Sequence, residues 1–242
     1  MTLKTKSTLA MKYIPLSILL TFSIVVSSCQ STNNSNATAD THKEYVNTSG
    51  ITSNTPEQYL PKQKDLNRAY FASGCFWCVE AIYESVQGVQ EVVSGYSGGH
   101  TENPTYESSN TGQTGHAEAV EVFYDSTVID FPTLIDVYFG SQNITQVNGQ
   151  GPDKGSQYRS IIFYQNDAEK AIVEAKVTAL NAQIAPEKVA AEVKAFQMFW
   201  VAEDYHQNYE RLHPNHGYIQ AVSIPRLKRF QAKFPALIKT KH

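Results

Sequence analysis

Cysteine is scarce in this 242-residue chain: Cys29, Cys75 and Cys78 are too few for the disulfide framework of a small secreted scaffold. An excess of charge is absent as well. Lys and Arg number 20 against 23 Asp and Glu, the net charge is -3, and no basic stripe interleaves with the aromatic residues, which excludes nucleic acid as a partner. The longest apolar run, Ile14 to Val26, falls short of the ~20 residues that span a bilayer. No internal repeat is found, which excludes a solenoid or propeller. What remains, with 41% hydrophobic and 18% charged residues, suits one well-packed core.

The N-terminus departs from that composition. Lys4, Lys6 and Lys12 flank the start of the apolar run, which has the shape of a signal-peptide core and ends in Val26-Ser27-Ser28-Cys29. Small residues before a cysteine resemble the bacterial lipobox, in which that cysteine is acylated and becomes the first mature residue. Residues 1–28 are therefore expected to be a lipoprotein signal and Cys29 the lipidation site. The expected location is the cell envelope, with a lipid anchor in the membrane and the domain facing the periplasm or the outer surface. Ordinary secretory cleavage and an uncleaved anchor compete with that reading. Residues 29–59 are rich in Ser, Thr and Asn and predict a flexible tether, with folded structure expected over residues 60–242.

Gly74-Cys75-Phe76-Trp77-Cys78-Val79-Glu80 sets two cysteines three apart where an extended run turns into a helical pattern. A thiolate at a helix N-terminus is stabilised by unpaired backbone N–H groups and the helix dipole, which predicts a lowered pKa for Cys75. The spacing also brings the two Cα atoms to ~5–6 Å, within disulfide reach. Taken alone, the motif fits a redox pair, half of a metal site or chance. A zinc set completed by His116 and His206 is disfavoured, because ligation would consume both thiolates and no second Cys-x-x-Cys exists. No metal is expected.

Periodicity predicts strands at Arg68–Ala72, Val89–Val93, Glu118–Tyr124, Tyr158–Tyr164 and Val189–Phe196. Helices are predicted at Phe76–Val86, Phe131–Phe139, Asp167–Gln183 with Asp167 as N-cap, Glu203–Leu212 and Arg226–Phe234. The stretch from Ser94 to Gly115 reads as loop. Mixed strands and helices with a hairpin-length connection give an α+β two-layer sandwich.

Gly74-Cys75-Phe76-Trp77 followed by Glu80 resembles the signature of the type A peptide methionine sulfoxide reductases, and four further stretches extend the likeness. They are Ser94-Gly95-Tyr96-Ser97-Gly98-Gly99 with Asn103-Pro104-Thr105-Tyr106, Thr114-Gly115-His116-Ala117-Glu118-Ala119-Val120, Gly151-Pro152-Asp153-Lys154-Gly155-Ser156-Gln157-Tyr158-Arg159-Ser160, and Ala202-Glu203-Asp204-Tyr205-His206-Gln207. The resemblance implies a ferredoxin-like core with long irregular loops. It also implies repair of L-methionine-(S)-sulfoxide, free or in envelope proteins damaged by oxidative stress. A monomer is expected, with no bound cofactor and with an external thioredoxin-like thiol reductant.

In that chemistry Cys75 attacks the sulfoxide sulfur, methionine departs, a sulfenic acid remains, and Cys78 closes a disulfide. Glu118 is the candidate acid, provided that burial raises its pKa; its alternative is a solvated strand carboxylate. Phe76 and Trp77 are candidate walls for the methyl and thioether, or else a core pair. The resemblance gives Tyr106 and Tyr158 to the sulfoxide oxygen, Asp153 to positioning the substrate or those tyrosines, and Tyr218 to the pocket. Many relatives carry a recycling cysteine in a Gly-Tyr-Cys context, where this chain has Gly217-Tyr218-Ile219. The resolving thiol therefore falls to Cys78, as in the Gly-Cys-Phe-Trp-Cys subgroup. Gln142-Asn143-Ile144 and Asn148-Gly149-Gln150-Gly151 also depart from the family pattern, at the pocket rim. Two other functions compete: a general thiol–disulfide oxidoreductase and a non-catalytic lipoprotein module that captures apolar peptides.

Overall fold

The computed structural model describes residues 45–46, 52–63 and 65–240. Cys29, the 1–28 signal and most of the 29–59 tether lie outside the described residues. Ten strands are described: β1 (Tyr45–Val46), β2 (Thr52–Ser53), β3 (Asn67–Ser73), β4 (Val89–Ser97), β5 (Ala117–Tyr124), β6 (Gly149–Gln150), β7 (Asp153–Lys154), β8 (Ser160–Tyr164), β9 (Glu192–Ala195) and β10 (Met198–Val201). The helices are α1 (Phe76–Glu84), α2 (Tyr106–Asn110), α3 (Phe131–Gly140), α4 (Asp167–Ile184), α5 (Tyr209–Leu212) and α6 (Ile224–Lys233).

Eight strands form one mixed sheet in the order β1-β2-β10-β4-β5-β3-β8-β9, and β6 and β7 make a separate ribbon. At its centre β8, β3, β5 and β4 are antiparallel neighbours. With α1 crossing from β3 to β4 and α3 following β5, they compose two interlocked split βαβ units, the expected ferredoxin-like core.

Alternation along β5 sorts its side chains between two faces. Val120, Val122 and Tyr124 join Val79, Ile82 and Tyr83 of α1 and Leu134 and Ile135 of α3 in the main core. Full burial of each such apolar side chain is worth about 1.5–3 kcal/mol. Phe71 stacks on Tyr83 with ring centroids 5.0 Å apart. On the opposite face Ala117, Ala119 and Phe123 pack with Tyr70, Phe163, Phe196 and Phe199.

Buried on that second face, Glu121 corrects the expected tether boundary. It accepts from Arg68 Nη1 at 2.9 Å, Tyr70 Oη at 2.8 Å, Ser53 Oγ at 3.1 Å, and Thr55 Oγ1. A carboxylate without water needs this many donors. The Ser and Thr that read as linker composition are two of them, so Ser53 and Thr55, inside the expected 29–59 tether, are packed against the sheet.

Several boundaries differ from expectation. The N-cap of α4 is Asn166, which accepts from the Glu169 N–H at 2.9 Å, and Asp167 is the first helical residue. The expected Glu203–Leu212 helix is broken by Asn208 at φ 56°, leaving a 3₁₀ turn at Asp204–His206 and the single turn α5. Helix α2 lies inside the predicted loop, started by Thr105 and Ser108, each of which caps the other's backbone N–H. Strand β10, four residues long and paired between β2 and β4, was not predicted; Gly95 lets it approach β4, since a Cβ there would sit 2.3 Å from the Trp200 carbonyl oxygen.

Candidate active site

The β3–α1 junction places the two cysteines. Gly74 turns the chain at φ 81°, where a Cβ would lie 2.5 Å from Gln150 Cβ, so the turn requires glycine. Arg226 of α6 fastens the turn by donating to the Ser73 carbonyl at 3.0 Å, the Ser73 hydroxyl at 2.8 Å and the Ser141 carbonyl at 2.9 Å. Cys75 is consequently the N-cap of α1, and its carbonyl accepts from Cys78 N–H at 3.1 Å. Both thiols are free and buried.

Their protonation differs from the sequence expectation. Burial pushes the Cys75 thiol well up, reinforced by its hydrogen bond to Cys78 and by negative charge on Cys78 and Glu118. Cys78 is pulled down to about 6, first by the hydrogen bond from Cys75 and against its own burial, with Arg226, Ser223 and Tyr218 also favouring the thiolate. The hydrogen bond between the two sulfurs thus acts in opposite directions, raising Cys75 and lowering Cys78. The helix N-terminus does not lower Cys75, because desolvation of the buried sulfur outweighs it, the Cys75 side chain caps no amide of α1, and Phe76 N–H is given to Glu118.

Glu118 reaches the helix start from β5. Its Oε2 accepts from Phe76 N–H at 2.9 Å, and the carboxyl is 2% exposed, so the solvated alternative fails. Burial drives its pKa to about 8, opposed by that hydrogen bond and aided by Asp153 and Cys78. A carboxylic acid is therefore present beside the thiols at neutral pH.

Aromatic rings enclose the same spot. Phe76 is buried and Trp77 half-buried, with centroids 6.2 Å apart. Trp77 stacks on Tyr209 at 3.7 Å, and its indole N–H donates to His206 Nδ1 at 3.2 Å. The His206 ring packs 4.8 Å from Phe76 and 4.7 Å from Tyr106, and burial lowers its pKa to about 4, leaving it neutral. Tyr106 opens α2, where its N–H donates to Glu203 Oε1 at 2.9 Å; Tyr96 Oη donates to Oε2 of the same carboxylate at 2.9 Å. Tyr158 ends the 3₁₀ turn Ser156–Tyr158, not the strand predicted for it, and burial pushes up both its hydroxyl and that of Tyr106.

Asp153 and Tyr218 form a pair that adjoins the aromatic rings, the Tyr218 ring lying edge-on to Trp77 with centroids 6.1 Å apart. Tyr218 Oη donates to Asp153 Oδ2 at 2.6 Å and lies 3.7 Å from Cys78 Sγ. Asp153 thus positions Tyr218, and no hydrogen bond joins it to Tyr106 or Tyr158 among the described residues. Sequence reasoning missed Glu203 and Tyr209 and gave His206 only a metal role. Their signal was membership in, or adjacency to, the Ala202–Gln207 stretch. Among the described residues no group of three His, Cys, Asp or Glu is spaced to hold a metal ion.

A buried acid, a thiol pair and an apolar aromatic socket suit reduction of a polar S–O group on an apolar thioether. Comparison with known proteins leads to the same chemistry. The family model described as peptide methionine sulfoxide reductase matches residues 67–237. The chain is 45% identical over 174 residues to a peptide methionine sulfoxide reductase MsrA of Polynucleobacter asymbioticus, covering 72% of this chain and 92% of that protein. It is 45% identical over 172 residues to an MsrA of Pasteurella multocida, covering 71% and 98%. The solved methionine sulfoxide reductase A of Corynebacterium diphtheriae superposes with a TM-score of 0.58 and 32% identity over 64% of this chain and 78% of that one. The chain belongs to the peptide methionine sulfoxide reductase family, oxidoreductases that return methionine sulfoxide to methionine.

Proposed function

We propose that this enzyme reduces the S epimer of methionine sulfoxide through Cys75, with Glu118 as acid, Cys78 as resolving thiol and a thioredoxin-like protein as final reductant. The observation that carries the proposal is the Glu118 carboxyl bound to the Phe76 amide at the mouth of α1, one residue from Cys75. Phe76 and Trp77 would wall the thioether and methyl, and the Tyr106 and Tyr158 hydroxyls would donate to the sulfoxide oxygen. As Cys75 sulfur bonds to the substrate sulfur, its proton passes to the Cys78 thiolate and the Glu118 proton to the oxygen. The hydroxyl then transfers to Cys75, methionine leaves, and Cys75 is a sulfenic acid. Cys78 sulfur attacks it, forming the Cys75–Cys78 bond and releasing water.

The absence of any cysteine after Cys78 supports that resolving role. Cys78→Ser should retain one stoichiometric burst of methionine and a dimedone-trappable sulfenic acid, yet fail to turn over with thioredoxin. Recycling of the variant at the wild-type rate would mean that the reductant attacks the sulfenic acid directly. The Val26-Ser27-Ser28-Cys29 stretch supports an envelope enzyme held by lipid on Cys29, with oxidised envelope proteins as substrates.

A further inference from the structure

Cys78 borders a cavity beside α6. The cavity, of about 730 Å³, is bounded by the β6–β7 ribbon and its preceding loop on one side and by α6 on the other, with Cys78, Gln150 and Asp153 among its lining residues. Trp77, Tyr106 and Tyr158 do not line it. Cys78 is 2% exposed, so a group reaching its sulfur must enter a defined channel.

One wall of that channel is cationic. Arg226, Arg229 and Lys233 recur at i, i+3 and i+7 along α6, which places them on one helical face, and all three line the cavity. Arg226 is buried and committed to Ser73 and Ser141. Arg229 and Lys233 are exposed, and neither has a carboxylate partner among the described residues. Asp153, the one acid of the lining, is engaged by Tyr218. The chain as a whole carries net charge -3, so this local excess of positive charge runs against the average.

We infer that the groove between α6 and the β6–β7 ribbon is the docking surface for the protein reductant, and that it takes a dithiol protein whose reactive cysteine is rimmed by carboxylates. The inference rests on the proposed Cys75–Cys78 disulfide. A thiolate arriving through the groove meets Cys78 sulfur, forms a mixed disulfide with it and displaces Cys75 as a thiolate. The reductant's second cysteine then attacks its own first sulfur, closes the reductant's disulfide and releases Cys78. Two electrons pass to the enzyme, and the departing thiolates take up the two protons that the reductant's thiols lose. Exposed cations at the rim with no carboxylate partner among the described residues steer an acidic partner and act chiefly on encounter.

The test is charge reversal at the rim, away from the chemistry. Arg229→Glu with Lys233→Glu should raise KM for an acidic bacterial thioredoxin, supplied with its reductase and NADPH, about tenfold or more. Turnover with dithiothreitol, a neutral dithiol, should stay at the wild-type rate, and added salt should raise the thioredoxin KM of wild type more than that of the variant. A thioredoxin lacking its second cysteine should be trapped on Cys78. An unchanged thioredoxin KM, trapping on Cys75, or a charge effect seen only with glutathione as reductant would overturn the inference. Loss of dithiothreitol turnover in the variant would show the cations to be structural and would also overturn it. Failure of wild type to reduce methionine sulfoxide with dithiothreitol would instead refute the proposed reaction itself.

Discussion

Glu118→Gln keeps the shape of a buried side chain and an oxygen able to accept the Phe76 N–H at 2.9 Å, while removing the proton it donates. Activity and stability should therefore move in opposite directions. Burial raises the carboxyl from 4.5 to about 8, so at neutral pH the folded protein holds a proton that the unfolded chain has released. The folded pKa lies above the unfolded one, so the wild type loses stability as pH rises from about 4.5 to about 8. Glutamine does not titrate and escapes that cost. The variant should exceed wild type by about 1 kcal/mol at pH 5 and about 3 kcal/mol at pH 7, the span that such a shift implies. Turnover should fall roughly 10²-fold or more, the usual worth of a positioned acid. Urea unfolding at the two pH values and dithiothreitol-driven reduction of a methionine sulfoxide peptide measure both effects. An unchanged rate would place the acid elsewhere, and an equal stability difference at both pH values would mean that Glu118 is ionised in the folded protein.

Gly74→Ala should destabilise the fold by about 1–3 kcal/mol, from the positive φ and the overlap with Gln150, and should cut turnover by displacing Cys75; unfolding and rate measurements that match wild type would refute the turn geometry. Mass spectrometry of the mature N-terminus should find lipid on Cys29. Cleavage elsewhere or an unmodified Cys29 would remove the anchor and leave the catalytic reading intact.

The central four strands were legible because their period-2 alternation is local. β5 shows it plainly, with Val120, Val122 and Tyr124 to one face and Ala119 and Phe123 to the other. Tyr106's helix was not legible, since its start signal is a Thr105–Ser108 pair in a polar, glycine-rich stretch that equally suits a loop. The protonation of the cysteines could not be read from their motif either. A helix N-terminus is visible in seven residues, but burial of the sulfur is set by the folded chain, and the charge that reinforces it sits on Glu118, 42 residues beyond Phe76. The same distance hid Glu121, whose partners Ser53 and Thr55 turn an apparent linker into part of the sheet's covering.

Separate reduction of the two epimers of a methionine sulfoxide peptide with dithiothreitol tests the proposed chemistry most directly. The resemblance to the type A family, carried by the stretches holding Cys75, Glu118, Tyr106 and Tyr158, predicts turnover of the S epimer, none of the R epimer, and loss of all turnover in Cys75→Ser. Equal reduction of both epimers, preference for R, or activity surviving in Cys75→Ser would contradict it.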